Sequence, residues 1–305
     1  MGSMSRPAAT GLAGHPLTVQ RDRVLAAWDG FLAVAERADL AAPSRLPGWT
    51  AHDVCVHVGD WPGVTTMDRV LESARAGAAA AADPARTDAA NAAVVAAHRD
   101  TPRDEVLAAL ARSRRRIADW FAEPDAPDRP RALGLRLASS AIGPLPVLTV
   151  VAASGYELAV HALDLAPAGA PPPPPGLLDA GLAALVDVTG VFAHRRGLRT
   201  ELAAVGPRGG WQVRTDEGGW TTGAVDRRPP GAAVEGEPAT LLDASAGRRA
   251  VPALLAGRQL RLHGMADLVR LAPIVEEVPG LPGGPALRAA ARWVGGAGRL
   301  LRFGR

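Results

Sequence analysis

Apolar residues recur at helical spacing between Val24 and Ala38, where Val24, Leu25, Trp28, Phe31, Leu32 and Ala35 share one face and predict an amphipathic helix. Pro43 to Gly48 reads as a loop. Thr50 followed by Asp53 carries the start signal of a capping box, so a second helix is expected from about Ala51 until Pro62 and Gly63 break it. Asp88 to Arg99 predicts a third helix. Thr101-Pro102 starts another, which carries Val106, Leu107, Leu110, Ile117, Trp120 and Phe121. The alanine-rich stretch Ala74 to Ala82 fits either helix or loop. From about Pro146 to Leu165 nearly every position is apolar, the pattern of a helix buried on all sides.

The pattern then changes. Pro171 to Pro175 is an unbroken proline run that neither a helix interior nor a central strand can accommodate, and it reads as a stiff linker. Beyond it, Gly176 to His194 predicts a helix. Glu201–Val205, Trp211–Thr215 and Trp220–Ala224 predict short strands between glycine-rich turns. Thr240–Ala246 and Val251–Leu255 read as helices, Gln259–His263 as a strand and Asp267–Leu271 as a helix. Pro285 to Phe303 is a basic amphipathic segment, expected to be a helix packed on its own domain. The expected organisation is multi-domain: an all-α antiparallel four-helix bundle over 16–168, a polyproline linker over 169–175, a small α+β domain over 176–284 and a basic C-terminal helix over 285–305.

Composition narrows the function classes. At 305 residues with 48% hydrophobic content, the chain is long enough for about two domains with real cores. All 34 basic residues are arginine, and against 31 acids they leave a net charge of only +3. These arginines are spread along the chain and are not interleaved with aromatics, so nucleic-acid binding is not expected. The apolar runs predict neither a membrane span nor a signal peptide, which gives a cytoplasmic expectation. The single cysteine, Cys55, excludes an internal disulfide and a cysteine-based zinc cluster. Oligomeric state leaves no legible mark.

The candidate chemistry lies in the apolar helix. Glu157 and His161 are i,i+4, about 40° apart on one helical face and stacked a turn apart. Buried Glu and His need partners, which either a polar network or a metal would supply. His57, on the second helix, would complete a set of two imidazoles and one carboxylate. That set suits zinc and leaves a coordination position open. Asp164, three residues after His161, falls on the same face, where it could orient the imidazole or pair with an arginine at the helix end. Trp61, one turn after His57, could wall the pocket or simply pack in the bundle. His52 lies about 140° from His57 round the helix and is expected at the surface. Cys55 is expected to be a small core side chain. His98, His194 and His263 show no legible partner spacing.

Leu46-Pro47-Gly48-Trp49-Thr50 followed by Asp53 and His57, with Glu157, His161 and Asp164 later, resembles the mycothiol-dependent maleylpyruvate isomerase family, part of the DinB-like metal-binding bundles. In the second half, Val234-Glu235-Gly236, Leu241-Leu242, Gly247-Arg248-Arg249 and Leu260 to Asp267 look like the sterol-carrier-protein-like domain that follows the bundle in that family. The resemblance implies a zinc-type divalent ion on His57, Glu157 and His161, with a low-molecular-weight thiol such as mycothiol as cofactor and a small molecule as substrate. A metal lowers the pKa of a coordinated thiol, and the thiolate is the nucleophilic form. In the isomerase reaction the thiolate adds to an electron-poor cis double bond conjugated to a carbonyl. Rotation and expulsion of the thiol then give the trans isomer. Arg248 and Arg249, with Arg258 behind them, are the candidates for a substrate carboxylate.

Isomerisation is therefore the expected activity. Thiol S-transfer on the same scaffold, a non-catalytic small-molecule carrier and a metal-holding accessory protein are the alternatives. Apart from Asp164, the residues at helical spacing beside the triad offer no further carboxylate or histidine to act as the general base of a hydrolase, which favours thiol over water as nucleophile.

Overall fold

The computed structural model describes residues 9–62, 66–77, 84–140, 142–271 and 274. It forms two compact units. Among the described residues, one is Leu12–Ala184, and the other joins those from Leu185 onward to residues 9–11. The expected basic helix of 285–305 and part of Ala74–Ala82 lie outside the described residues.

The chain enters through a two-residue strand, β1 (Ala9–Thr10), which pairs in the second unit, and a single 3-10 turn precedes the first long helix. The helical unit then contains α1 (Leu17–Ala35), α2 (Ala51–Val58), α3 (Thr66–Ala76), α4 (Pro84–Ala97), α5 (Arg103–Ala122), α6 (Pro130–Leu133) and α7 (Val147–Asp164). Two short strands, β2 (Leu137–Ala138) and β3 (Leu145–Pro146), form an antiparallel ladder just before α7. α1 packs against α5 and α7, and α2 against the same two helices. Val24, Phe31, Val54, Val106, Leu110 and Leu158 are buried in this unit. The helix expected at Asp88–Arg99 is α4; it lies against α2, with Val95 its one buried residue among those described.

α2 is shorter than its pattern suggests. Its start follows the sequence signal: the Asp53 N–H donates to Thr50 Oγ1 at 3.2 Å while the Thr50 N–H donates to Asp53 Oδ2 at 2.8 Å. Its end comes at Val58, well before Pro62, because the extended Gly59 takes the chain out of the helix and Trp61 folds back to donate from Nε1 to the Val56 carbonyl at 2.8 Å. A carbonyl near the helix end is thereby satisfied by a side chain.

The proline run is neither helix nor strand through residue 174, and α8 (Pro175–Arg195) begins on the last proline, where the missing N–H costs nothing. The two units divide within α8, between Ala184 and Leu185. By length and composition α7 and α8 could each cross a membrane, but two thirds of each is buried inside the protein. They are core helices, and α7 carries Glu157, His161 and Asp164.

The second unit is built on a six-stranded sheet of order β1-β6-β5-β4-β7-β8. It comprises β4 (Thr200–Gly206), β5 (Gly209–Asp216), β6 (Gly219–Val225), β7 (Ala232–Gly236) and β8 (Leu260–His263), with α9 (Pro238–Ser245), α10 (Val251–Ala256) and α11 (Met265–Arg270) between and after them. Antiparallel hairpins join β4 to β5 and β5 to β6, while β7 lies parallel to β4 and β8 antiparallel to β7. Gly209 (φ 108°) and Gly219 (φ 128°) supply the positive backbone angles at the ends of the two hairpin loops. The C-terminal half of α8 lies close on this sheet. A Cβ at Gly190 would fall 2.4 Å from Val213 Cγ2, so only glycine permits that approach. The described chain is thus a helical region followed by a strand-containing region.

Candidate metal centre

The loop before α2 and the end of α7 are stitched together by backbone bonds. The Arg45 N–H donates to the Asp164 carbonyl at 2.9 Å, and the Asp39 N–H to that of Ala168 at 2.9 Å. This fixes the start of α2 relative to the last turns of α7 and brings His57, Glu157 and His161 together. One ligand atom from each lies within 4.8 Å of the others. The His57 and His161 rings stand 5.2 Å apart and nearly perpendicular, at 82°. His161 Nε2 faces Glu157 Oε2 at 3.5 Å. The His161 side chain is 8% exposed and that of Glu157 61%, so the cluster has a closed floor and an open side on the carboxylate.

Asp164 is wholly buried, and its Oδ2 lies 3.1 Å from His161 Nδ1. A carboxylate can only accept, so Nδ1 carries the proton and Nε2 is the nitrogen turned toward Glu157. The two imidazoles are poised oppositely. Burial pushes His57 down to about 4, with the neighbouring His161 adding to the effect and Glu157 opposing it. Burial would lower His161 as well, but hydrogen bonds to Asp164 and Glu157 and their negative charge hold it at about 9.

Three nitrogen and oxygen donors from two helices, with one imidazole oriented by a buried carboxylate, fit a divalent ion of the zinc type with room for a further ligand.

Other residues singled out by the sequence lie elsewhere. Trp61 is not on the His57 face, because α2 ends before it; the indole is buried, stacked on His98 at 3.8 Å between ring centroids. His52 is not a free surface residue, since its Nε2 donates to the Thr101 carbonyl at 2.8 Å. Cys55 is fully buried, and burial pushes its thiol up to about 12, outweighing the opposing pull of Arg103. Arg248 and Arg249 belong to the second unit, in the connection from α9 to α10. Arg248 donates to the Ala246 carbonyl and Arg249 to Gln259 Oε1. Arg258, just after α10, holds a left-handed backbone at φ 54°. In the second unit, His263 Nε2 lies 3.0 Å from Glu235 Oε2 across β7 and β8, a pairing that the spacing in sequence conceals.

One neighbour of the triad has no periodic signal. Trp49, in the loop before α2, packs against His57 with ring centroids 5.7 Å apart at 68°.

The helical region has counterparts among known proteins. Residues 21–166, which contain all three triad positions, match the family model of the mycothiol maleylpyruvate isomerase N-terminal domain. Among solved structures, the chain resembles a crystal structure of the mycothiol-dependent maleylpyruvate isomerase at 19% identity and a TM-score of 0.50, covering 79% of this chain and 93% of that one. A histidine-to-alanine mutant of that isomerase gives 19% identity and a TM-score of 0.47, covering 79% and 92%. No curated protein matches the sequence. At this identity the first of these structures speaks for the fold alone, while the family match concerns the helical region. Residues 21–166 therefore belong to the mycothiol maleylpyruvate isomerase N-terminal domain family.

Proposed function

We propose that this chain is a metal- and thiol-dependent isomerase that converts the cis form of a small, electron-poor alkene conjugated to a carbonyl into its trans form. The observation that carries the reading is the convergence of His57, Glu157 and His161 within 4.8 Å inside a domain of this family. The helical unit is read as a DinB-like four-helix bundle and the second unit as a sterol-carrier-like domain, with 169–175 a stiff proline-rich linker that leads from the bundle into α8 ahead of the division between the units.

When bound, a zinc-type ion and a low-molecular-weight thiol such as mycothiol would supply, respectively, a lowered thiol pKa and a nucleophile whose reversible addition frees rotation about the double bond. The chain's own residues do the rest. His57 offers a ring nitrogen, Glu157 its carboxylate and His161 its Nε2. Asp164 keeps the His161 Nδ1 proton and so fixes which nitrogen faces the centre. The open side at Glu157 admits the thiol and substrate. Arg248 and Arg249 are the cations we assign to a substrate carboxylate.

The reading is tested with maleylpyruvate as the probe. Turnover should require both added mycothiol and metal, and mass spectrometry should find a product of unchanged mass. Accumulation of a stable thiol adduct would make the protein a transferase, and turnover without thiol would refute the thiol-dependent reading.

A further inference from the structure

The two triad imidazoles are oriented by different means. His161 is held through Nδ1 by the buried Asp164. Among the described residues no hydrogen bond reaches the His57 ring; its ring contacts are with His161 and the indole of Trp49, and the Glu157 carboxylate lies within 4.8 Å of it. A metal-ligating histidine whose second nitrogen has no carboxylate or carbonyl partner is free to turn about its side-chain bonds unless packing stops it.

The loop that carries Trp49 is tightly determined. The Trp49 N–H donates to the Leu46 carbonyl at 3.0 Å, and the Trp49 carbonyl accepts from both the N–H and the hydroxyl of Ser44 at 2.9 Å. Gly48 sits at φ 79°, a turn conformation that glycine enters without strain. A bridge between Pro43 and Thr50 closes the neck, and Thr50 is itself the N-cap of α2. One short loop thus sets both the start of the His57 helix and the place of the indole.

We propose that Trp49 is a positioning residue for His57: its edge-to-face contact keeps the imidazole turned toward Glu157 and His161, the task that Asp164 performs for the other histidine. The inference rests on the metal-centre reading above. An aromatic pair of this geometry has a directional preference beyond its buried area, so a phenyl ring should replace the indole where an aliphatic side chain of similar bulk does not.

The test measures Co2+ affinity by chelator competition, together with the visible absorption of the Co2+ form, for the wild type and Trp49→Ala, Trp49→Leu and Trp49→Phe. Melting of the metal-free proteins monitors the fold. The expected result is a dissociation constant raised about three- to tenfold in the Ala and Leu variants, with weakened visible bands, and restored to within about twofold of wild type by Phe. Equal affinity in all four proteins, or rescue by Leu as complete as by Phe, overturns the role of Trp49 and leaves the metal centre intact. Should Ala fail to fold, the Leu and Phe pair still decides. A wild type that binds no Co2+ overturns the metal reading itself, and the inference with it.

Discussion

Asp164 and His161 form a buried pair on α7, His161 one helical turn from Glu157 and Asp164 two, with 3.1 Å between Oδ2 and Nδ1. The carboxylate sets the tautomer, and the tautomer decides which nitrogen the site presents. Asp164→Ala is therefore expected to weaken metal binding by about 10- to 100-fold, since an outer partner of a metal-ligating histidine contributes on that scale. Chelator competition checks this; an unchanged affinity would mean that Asp164 serves only the helix end.

Metal binding should release a proton. With His161 at about 9, the metal-free site is protonated there at neutral pH, whereas His57, at about 4, is already neutral. The apparent affinity should climb about tenfold per pH unit across the neutral range and level off above about 9. Folding stability without metal follows from the same shifts. The raised His161 contributes stability that is complete below its unfolded value of 6.5 and fades as pH rises through about 9. The lowered His57 contributes stability that is complete above 6.5 and fades as pH falls toward 4. Calorimetry in buffers of different ionisation enthalpy counts the released proton, and a count near zero at pH 7.5 would contradict the assignment.

The capping box of α2 should matter to the fold but not to ligand identity. Thr50→Ala removes the acceptor of the Asp53 N–H and is expected to cost about 1 kcal/mol in denaturant unfolding. Metal stoichiometry should be unaltered.

Local signals in the sequence were legible where the physics is local. The capping box at Thr50 and Asp53 marks the start of α2 because both partners lie within four residues. Its end at Val58 has no such mark, because the bond from Trp61 to the Val56 carbonyl is made by a side chain outside the helix. β7 went unread: Ala232 and Ala233 have no strand propensity, and the strand exists because β4 and β8 flank it. β1, two residues paired with β6 from the far end of the chain, has no periodicity to detect. At the site, Glu157 and His161 were visible as an i,i+4 pair and His57 through its motif. The Trp49 contact was hidden because a loop residue has no face.

Cys55 should prove inert as a nucleophile. A wholly buried thiol pushed up to about 12 stays protonated at any working pH. Iodoacetamide at pH 8 should label the protein only after unfolding, and Cys55→Ala should retain thiol-dependent turnover. Rapid labelling of the folded chain would show that a second thiol competes in the chemistry.

The most direct measurement is the metal content of the purified protein, taken on the wild type and on His57→Ala and His161→Ala by elemental analysis, with circular dichroism to confirm folding. The account predicts about one divalent ion per wild-type chain and loss of stoichiometric metal in each variant. Full occupancy in either folded variant, or a wild type that takes up no metal when supplied with zinc, would contradict it.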